Sequence, residues 1–147
     1  MTRFFILLFG IGVLATSCQS TKNMEANTLF YTTTWQSDPV RFVRGDIDET
    51  YRFYLDGDLE RMDVVYHSTG TTEDERTVRQ ALDVSYDAER GKLVLTGEAP
   101  QLVSGPEFVG VYGADVLYCD ASKDALQCLW GSDAHGEAPV VVLRPDK

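Results

Sequence analysis

Histidine and cysteine are scarce in this chain, two and three among 147 residues, and the scarcity narrows its chemistry before any motif is sought. His67 and His135 are the side chains whose ordinary pKa falls nearest neutrality. Neither stands at a spacing that marks a general base or a metal pair. Both read as solvated positions, His67 on the outer face of a strand and His135 in a loop between Asp133 and Glu137. A G-x-S-x-G elbow, an H-E-x-x-H helix and a phosphate-cradling glycine loop are missing. Carboxylates are plentiful, but any acid pair picked from 23 is arbitrary. The expectation is a protein that is not an enzyme and carries no cofactor and no metal.

Positive charge is short too. The 13 Lys and Arg face 23 Asp and Glu, for a net charge of −10. A surface this acidic repels phosphate backbones, which argues against nucleic acid. It suits a basic partner or cations, or simply keeps the chain soluble. Long apolar runs are limited to Phe4 to Ala15, which as a helix rises roughly 18 Å against roughly 30 Å of bilayer hydrocarbon.

That run belongs to Met1 to Cys18, MTRFFILLFGIGVLATSC. Arg3 precedes it and the small residues Ala15, Thr16 and Ser17 close it, the three parts of a secretory signal. Leu14-Ala15-Thr16-Ser17-Cys18 resembles the lipobox of bacterial lipoproteins, with Ala15 where the family usually has a large aliphatic residue. The resemblance implies cleavage before Cys18, diacylglycerol on its thiol and attachment to a membrane through that lipid. Gln19, in place of the Asp that retains enteric lipoproteins at the inner membrane, implies the outer membrane of the cell envelope, facing the periplasm or the cell surface. Soluble export after ordinary cleavage is the second reading and an uncleaved anchor the third. Residues 1–17 then form a signal peptide, 18–27 the lipidated cysteine and a polar tether, and 28–147 one β-domain of a size for one core.

With Cys18 assigned to lipid, Cys119 and Cys128 form an even pair in an oxidising compartment. They lie in VLYCDASKDALQCLW, two short apolar strands about a turn. A register symmetric about Lys123 and Asp124 sets Cys119 opposite Cys128 and Asp120 opposite Gln127, within disulfide reach. Two thiolates alone make a poor zinc site, since zinc takes four ligands.

From Asn27 onward the pattern alternates with a period of two. Leu29, Tyr31, Thr33 and Trp35 share one face of a first strand, and Val40 to Arg44 forms a short second one. Tyr51, Phe53 and Leu55 lead into an Asp56-Gly57-Asp58 turn, and Met62, Val64 and Tyr66 return from it. Ser68 to Arg76 reads as a polar loop with one helical turn at Glu73 to Arg79. Leu82, Val84 and Tyr86 pair across Asp87 to Gly91 with Leu93 and Leu95. Gly97 to Pro106 reads as a loop, Phe108 to Tyr112 as a strand apolar on both faces, and Ala138 to Leu143 as the last strand.

Nine or ten strands joined by short turns, with no helical period, specify an all-β domain. A meandering antiparallel β-barrel is preferred because hairpins dominate; a two-sheet β-sandwich is the second choice. A Trp near the first strand followed by strand-turn-strand repeats resembles, in outline, small lipocalin-like envelope lipoproteins. Aromatic side chains are numerous, and Phe108, Tyr112 and Trp130 are the candidate lining of a ligand pocket. The functional expectation is a non-enzymatic, lipid-anchored envelope protein that binds a small apolar ligand or an envelope component in an aromatic-lined cavity. The alternative is an acidic inhibitor, immunity-type or assembly lipoprotein that docks a basic protein partner. That reading expects the carboxylates of Asp46 to Glu49, Glu73 to Glu75 and Asp133 to Glu137 on one face.

Overall fold

The computed structural model describes residues 30–44, 46–69, 74–108, 110–121, 124–131 and 139–146. The signal segment with Cys18, the tether, His135 and the acids of 133–137 lie outside them. The alternation seen in the sequence builds nine strands: β1 (Thr34–Ser37), β2 (Val40–Arg44), β3 (Ile47–Asp56), β4 (Arg61–Thr69), β5 (Asp74–Asp87), β6 (Lys92–Ser104), β7 (Val116–Ala121), β8 (Leu126–Trp130) and β9 (Val140–Pro145). From β2 to β9 each strand pairs antiparallel with the next, and β1 closes the ring by pairing with both β9 and β3.

β1 and β2 lie one after the other along β3. Trp35 is opposite Leu55, and Val40 is opposite Tyr51. Together they are one stave, broken at Asp38-Pro39 because proline has no N–H for the ladder. The break is repaired by a side chain: Ser37 Oγ accepts the Phe53 N–H at 2.9 Å, while the Asp38 N–H donates to the Val142 carbonyl at 3.1 Å. The result is a closed eight-staved barrel and not a two-sheet sandwich. Eight staves leave an interior just wide enough for side chains. Trp35, Phe53, Leu55, Met62, Val64, Leu82, Leu95, Leu117, Leu126, Val141 and Leu143 fill it as one continuous core reaching every stave.

Cys119 and Cys128 sit opposite each other, as Asp120 does Gln127, and their sulfurs are bonded. Both face inward and are fully buried, so the disulfide belongs to the core as well as to its hairpin. At one end of the barrel Phe30 and Tyr31 form a helical turn whose Phe30 ring stacks on Trp35 at 6.3 Å. Gly57 makes room for that plug, since a Cβ there would stand 2.4 Å from the Phe30 carbonyl oxygen.

Four local expectations are corrected. The first strand begins at Thr34 and Tyr31 is not part of it, because Phe30 and Tyr31 turn inward to cap the core. Residues 74–79 are strand, not a helical turn. Tyr66 pairs with Arg76 and Ser68 with Asp74, and this ladder with β4 overrides the local sequence. Gly97 to Pro106 is not a loop, because β6 runs on to Ser104 with register shifts opposite Thr77/Val78 and Arg79/Ala81. Such irregularities absorb Pro100 and the positive φ of Ala99. Of the FVGVY segment, Phe108 and residues 110–112 lie in a loop leading to β7 instead of a two-faced strand. Val111 is 98% exposed, while Phe108 and Tyr112 pack on aromatic neighbours.

Candidate functional site

Apart from Trp35, inward positions near the plugged end are aliphatic, but those near the other end carry aromatic rings and carboxylates. Phe42 comes from β2, Glu49 and Tyr51 from β3, Tyr66 from β4 and Trp130 from the end of β8. Phe108, Tyr112 and Asp115 come from the loop before β7. The rings form a connected chain. Tyr51 lies 4.7 Å from Trp130 and 4.9 Å from Tyr66, Tyr66 lies 6.1 Å from Phe108, and Phe108 lies 5.3 Å from Tyr112. Phe42 meets Trp130 edge to face at 5.4 Å. Arg76 covers the Phe108 ring at 4.7 Å and is itself held by Asp74 and the Pro106 carbonyl.

Between β2 and the β8 end these rings leave an open groove of about 340 Å³, lined by Phe42, Glu49, Tyr51, Trp130, Gly131 and Pro139. Among the described residues Glu49 is its one charged wall. The Tyr51 hydroxyl donates to Oε2 and the Tyr66 hydroxyl to Oε1, each at 3.1 Å, so two phenols fix the carboxylate while leaving it anionic. Burial raises the pKa of Tyr51, and the neighbouring Glu49 adds to the effect. It also raises that of Tyr66, partly opposed by a Ser68 hydrogen bond.

Behind Trp130 lies Asp115, 5% exposed. Its Oδ1 accepts the Trp130 Nε1–H at 2.8 Å; its Oδ2 accepts Gln80 Nε2–H at 2.6 Å and the Tyr112 hydroxyl at 3.1 Å. Gln80 Oε1 accepts the Asp115 backbone N–H in return, at 2.9 Å. Burial raises the Asp115 pKa above the ordinary carboxylate range, against the three hydrogen bonds that favour its charge. Burial likewise pushes the Tyr112 phenol up, with the Asp115 charge second. Gly97 makes this network possible, because a Cβ there would stand 2.2 Å from Gln80 Oε1.

Two other hollows, of about 280 and 170 Å³, open on the barrel wall near Pro39 and near Trp35. Asp38 pairs with Arg144 in the first, beside Arg52 and Asp146, and Arg61 pairs with Asp63 in the second, beside Asp56 and Asp146. Among the described residues no three His, Cys, Asp or Glu side chains gather as for a metal ion.

The three residues singled out from the sequence therefore meet at one end of the barrel, though only Trp130 lines the groove. Phe108 and Tyr112 stand behind it, Tyr112 through Asp115. Sequence reading missed Asp115, Gln80 and Phe42, and placed Glu49 on an acidic docking face instead of in a groove. Glu49 was within reach, since the strand period that turns Tyr51 and Phe53 inward does the same for Glu49. His67, by the same period, shares the outer face with Asp63 and Val65. Of the acids expected to gather on one face, Asp48 is bound to Arg41, Asp74 to Arg76 and Glu49 to two phenols, while those of 133–137 lie outside the described residues. Fold and groove together define a small closed β-barrel of lipocalin-like architecture with a packed interior and an aromatic, acid-backed mouth. No known protein family, curated protein or solved structure matches the chain.

Proposed function

We propose that this chain is a non-enzymatic, lipid-anchored protein of the bacterial envelope, and that its barrel binds a small, largely apolar ligand or envelope component at the open mouth. The observation that carries the reading is the 340 Å³ groove walled by Phe42, Tyr51, Trp130 and Pro139. An apolar wall with few, fixed polar groups is what small-molecule sites have in common. The packed core counts against the cavity inside the barrel expected from the sequence, and leaves the groove at the mouth as the place for a ligand. Attachment through Cys18, cleavage after Ser17 and an outer-membrane location rest on the lipobox-like leader. Docking of a basic protein gains less support, because Asp38, Asp48, Asp63, Asp74, Asp87 and Asp120 already have cationic partners.

Titration with phenylnaphthylamine, a neutral apolar fluorophore, tests the groove. Saturable binding that falls about tenfold or more in Trp130→Ala and in Phe42→Ala is expected. Equal binding by all three proteins sinks the assignment. The intact mass of membrane-extracted protein tests the anchor, with a diacylglyceryl-cysteine N-terminus at Cys18 expected. An unmodified Cys18 thiol removes that part of the reading.

A further inference from the structure

Resting on this assignment of the groove, we infer that its ligand carries a positive charge, and that the mouth recognises an alkylammonium group seated against Tyr51 and Trp130 with Glu49 as its counter-ion. Among the described residues Glu49 is the single charged one in the groove wall, and it is negative. Its two oxygens bond only to the Tyr51 and Tyr66 hydroxyls, and no cationic side chain among the described residues pairs with it. Six acids, Asp38, Asp48, Asp63, Asp74, Asp87 and Asp120, have an Arg or Lys partner, and others without one among the described residues, such as Asp83 and Glu98, are exposed, whereas Glu49 is half-buried in the groove wall. Neutral phenol donors position the carboxylate without cancelling its charge.

The aromatic walls favour the same ligand. A cation is attracted to the face of Trp or Tyr by the ring quadrupole, and more so where water is partly excluded. Here both rings are bonded to carboxyl groups at their positive edges, Tyr51 through its hydroxyl to Glu49 and Trp130 through Nε1 to Asp115. The Glu49 carboxylate adds negative potential beside the rings. An anionic ligand meets the opposite field in this groove. A neutral apolar one leaves Glu49 partly desolvated and unpaired. The groove volume suits a headgroup-sized amine and not a long acyl chain.

The test uses the full-length protein and two ligands of one shape: choline, and its uncharged isostere in which a tert-butyl group replaces trimethylammonium. Binding is read by Trp fluorescence and calorimetry. Choline is expected to bind at least about tenfold more tightly than the isostere, and Glu49→Gln to erase that preference. Phenylnaphthylamine still bound by Glu49→Gln shows that the groove is intact, whatever the change in its affinity. Glycerophosphocholine as a third ligand separates the sources: binding equal to choline assigns a lipid headgroup, and much weaker binding assigns a free amine. Equal affinity for choline and its isostere, with phenylnaphthylamine still bound, overturns the charge recognition and leaves the apolar groove standing. No binding of any of the ligands overturns both.

Discussion

Asp115 and Trp130 are joined by a 2.8 Å hydrogen bond from the indole Nε1 to the carboxylate Oδ1. The bond links the loop before β7 to the last residue of β8, and so fixes the ring that walls the groove. Gln80 and Tyr112 share the same carboxylate. A buried acceptor serving three donors is a costly group to disturb, since each donor left unpaired forfeits its own desolvation energy.

Asp115→Ala should therefore lower the unfolding free energy by about 3 kcal/mol, and Asp115→Asn, which keeps one acceptor oxygen, by about 1 to 2 kcal/mol, measured by urea denaturation. The pH dependence has a definite sign. Burial raises the folded pKa of Asp115, so the folded chain keeps a proton that the unfolded chain releases near pH about 4. Its contribution to stability declines as pH rises through that window to the folded pKa and is then constant. The advantage of the wild type over Asp115→Asn should shrink over that interval; an advantage that grows with pH contradicts the assignment. Asp48, whose pKa is lowered first by its hydrogen bond with Arg41, acts on the other side, losing its contribution as pH falls below the ordinary carboxylate value.

Gly97→Ala should damage the same network from behind. The added Cβ would stand 2.2 Å from Gln80 Oε1 and 2.7 Å from Cδ. Gln80 has little freedom to yield because two bonds tie it to Asp115. A loss of about 2 to 3 kcal/mol is expected, and combining Gly97→Ala with Gln80→Ala should cost clearly less than the two single losses together. Strict additivity would mean that Gly97 acts independently of Gln80.

How much of this was legible follows from the range of the forces involved. The hairpins of β3 with β4 and β7 with β8 were readable because period and turn residues are local signals: Tyr51 meets Tyr66, Phe53 meets Val64, and Cys119 meets Cys128. Ring closure through β1 was favoured only as the commoner consequence of successive hairpins. The extension of β6 through Pro100 was not readable, because it depends on irregular pairing with β5, a long-range event. The site was legible as an abundance of aromatics, and Phe108, Tyr112 and Trp130 do converge. Asp115 and Gln80 are 35 residues apart, and nothing in their flanking sequence distinguishes that Asp from the solvated ones.

The two tryptophans should respond oppositely to loss of their indole N–H. Trp35 is buried with its Nε1 lacking a partner among the described residues. Trp35→Phe removes an unsatisfied donor along with some ring area, and the opposing effects should leave stability within about 1 kcal/mol of the wild type. Trp130→Phe takes a donor from Asp115 and should cost about 1 to 3 kcal/mol. Thermal denaturation of both variants checks the order. A larger loss in Trp35→Phe than in Trp130→Phe would refute it.

Alkaline titration reaches the mouth directly. Tyr51, Tyr66 and Tyr112 have raised pKa values, in each case chiefly through burial, with Glu49 adding to the first and Asp115 to the last. The unfolded chain releases these phenol protons near pH about 10, whereas the folded chain retains them. Stability is therefore lost as pH rises above that value, the opposite direction to a group held ionised by the fold. Phenolate absorbance from these residues should appear together with loss of far-ultraviolet β-structure. Tyr112→Phe should remove part of that late amplitude and move the alkaline unfolding midpoint upward. If all the phenolate absorbance develops while the barrel remains folded, these three hydroxyls are not held as the structure places them.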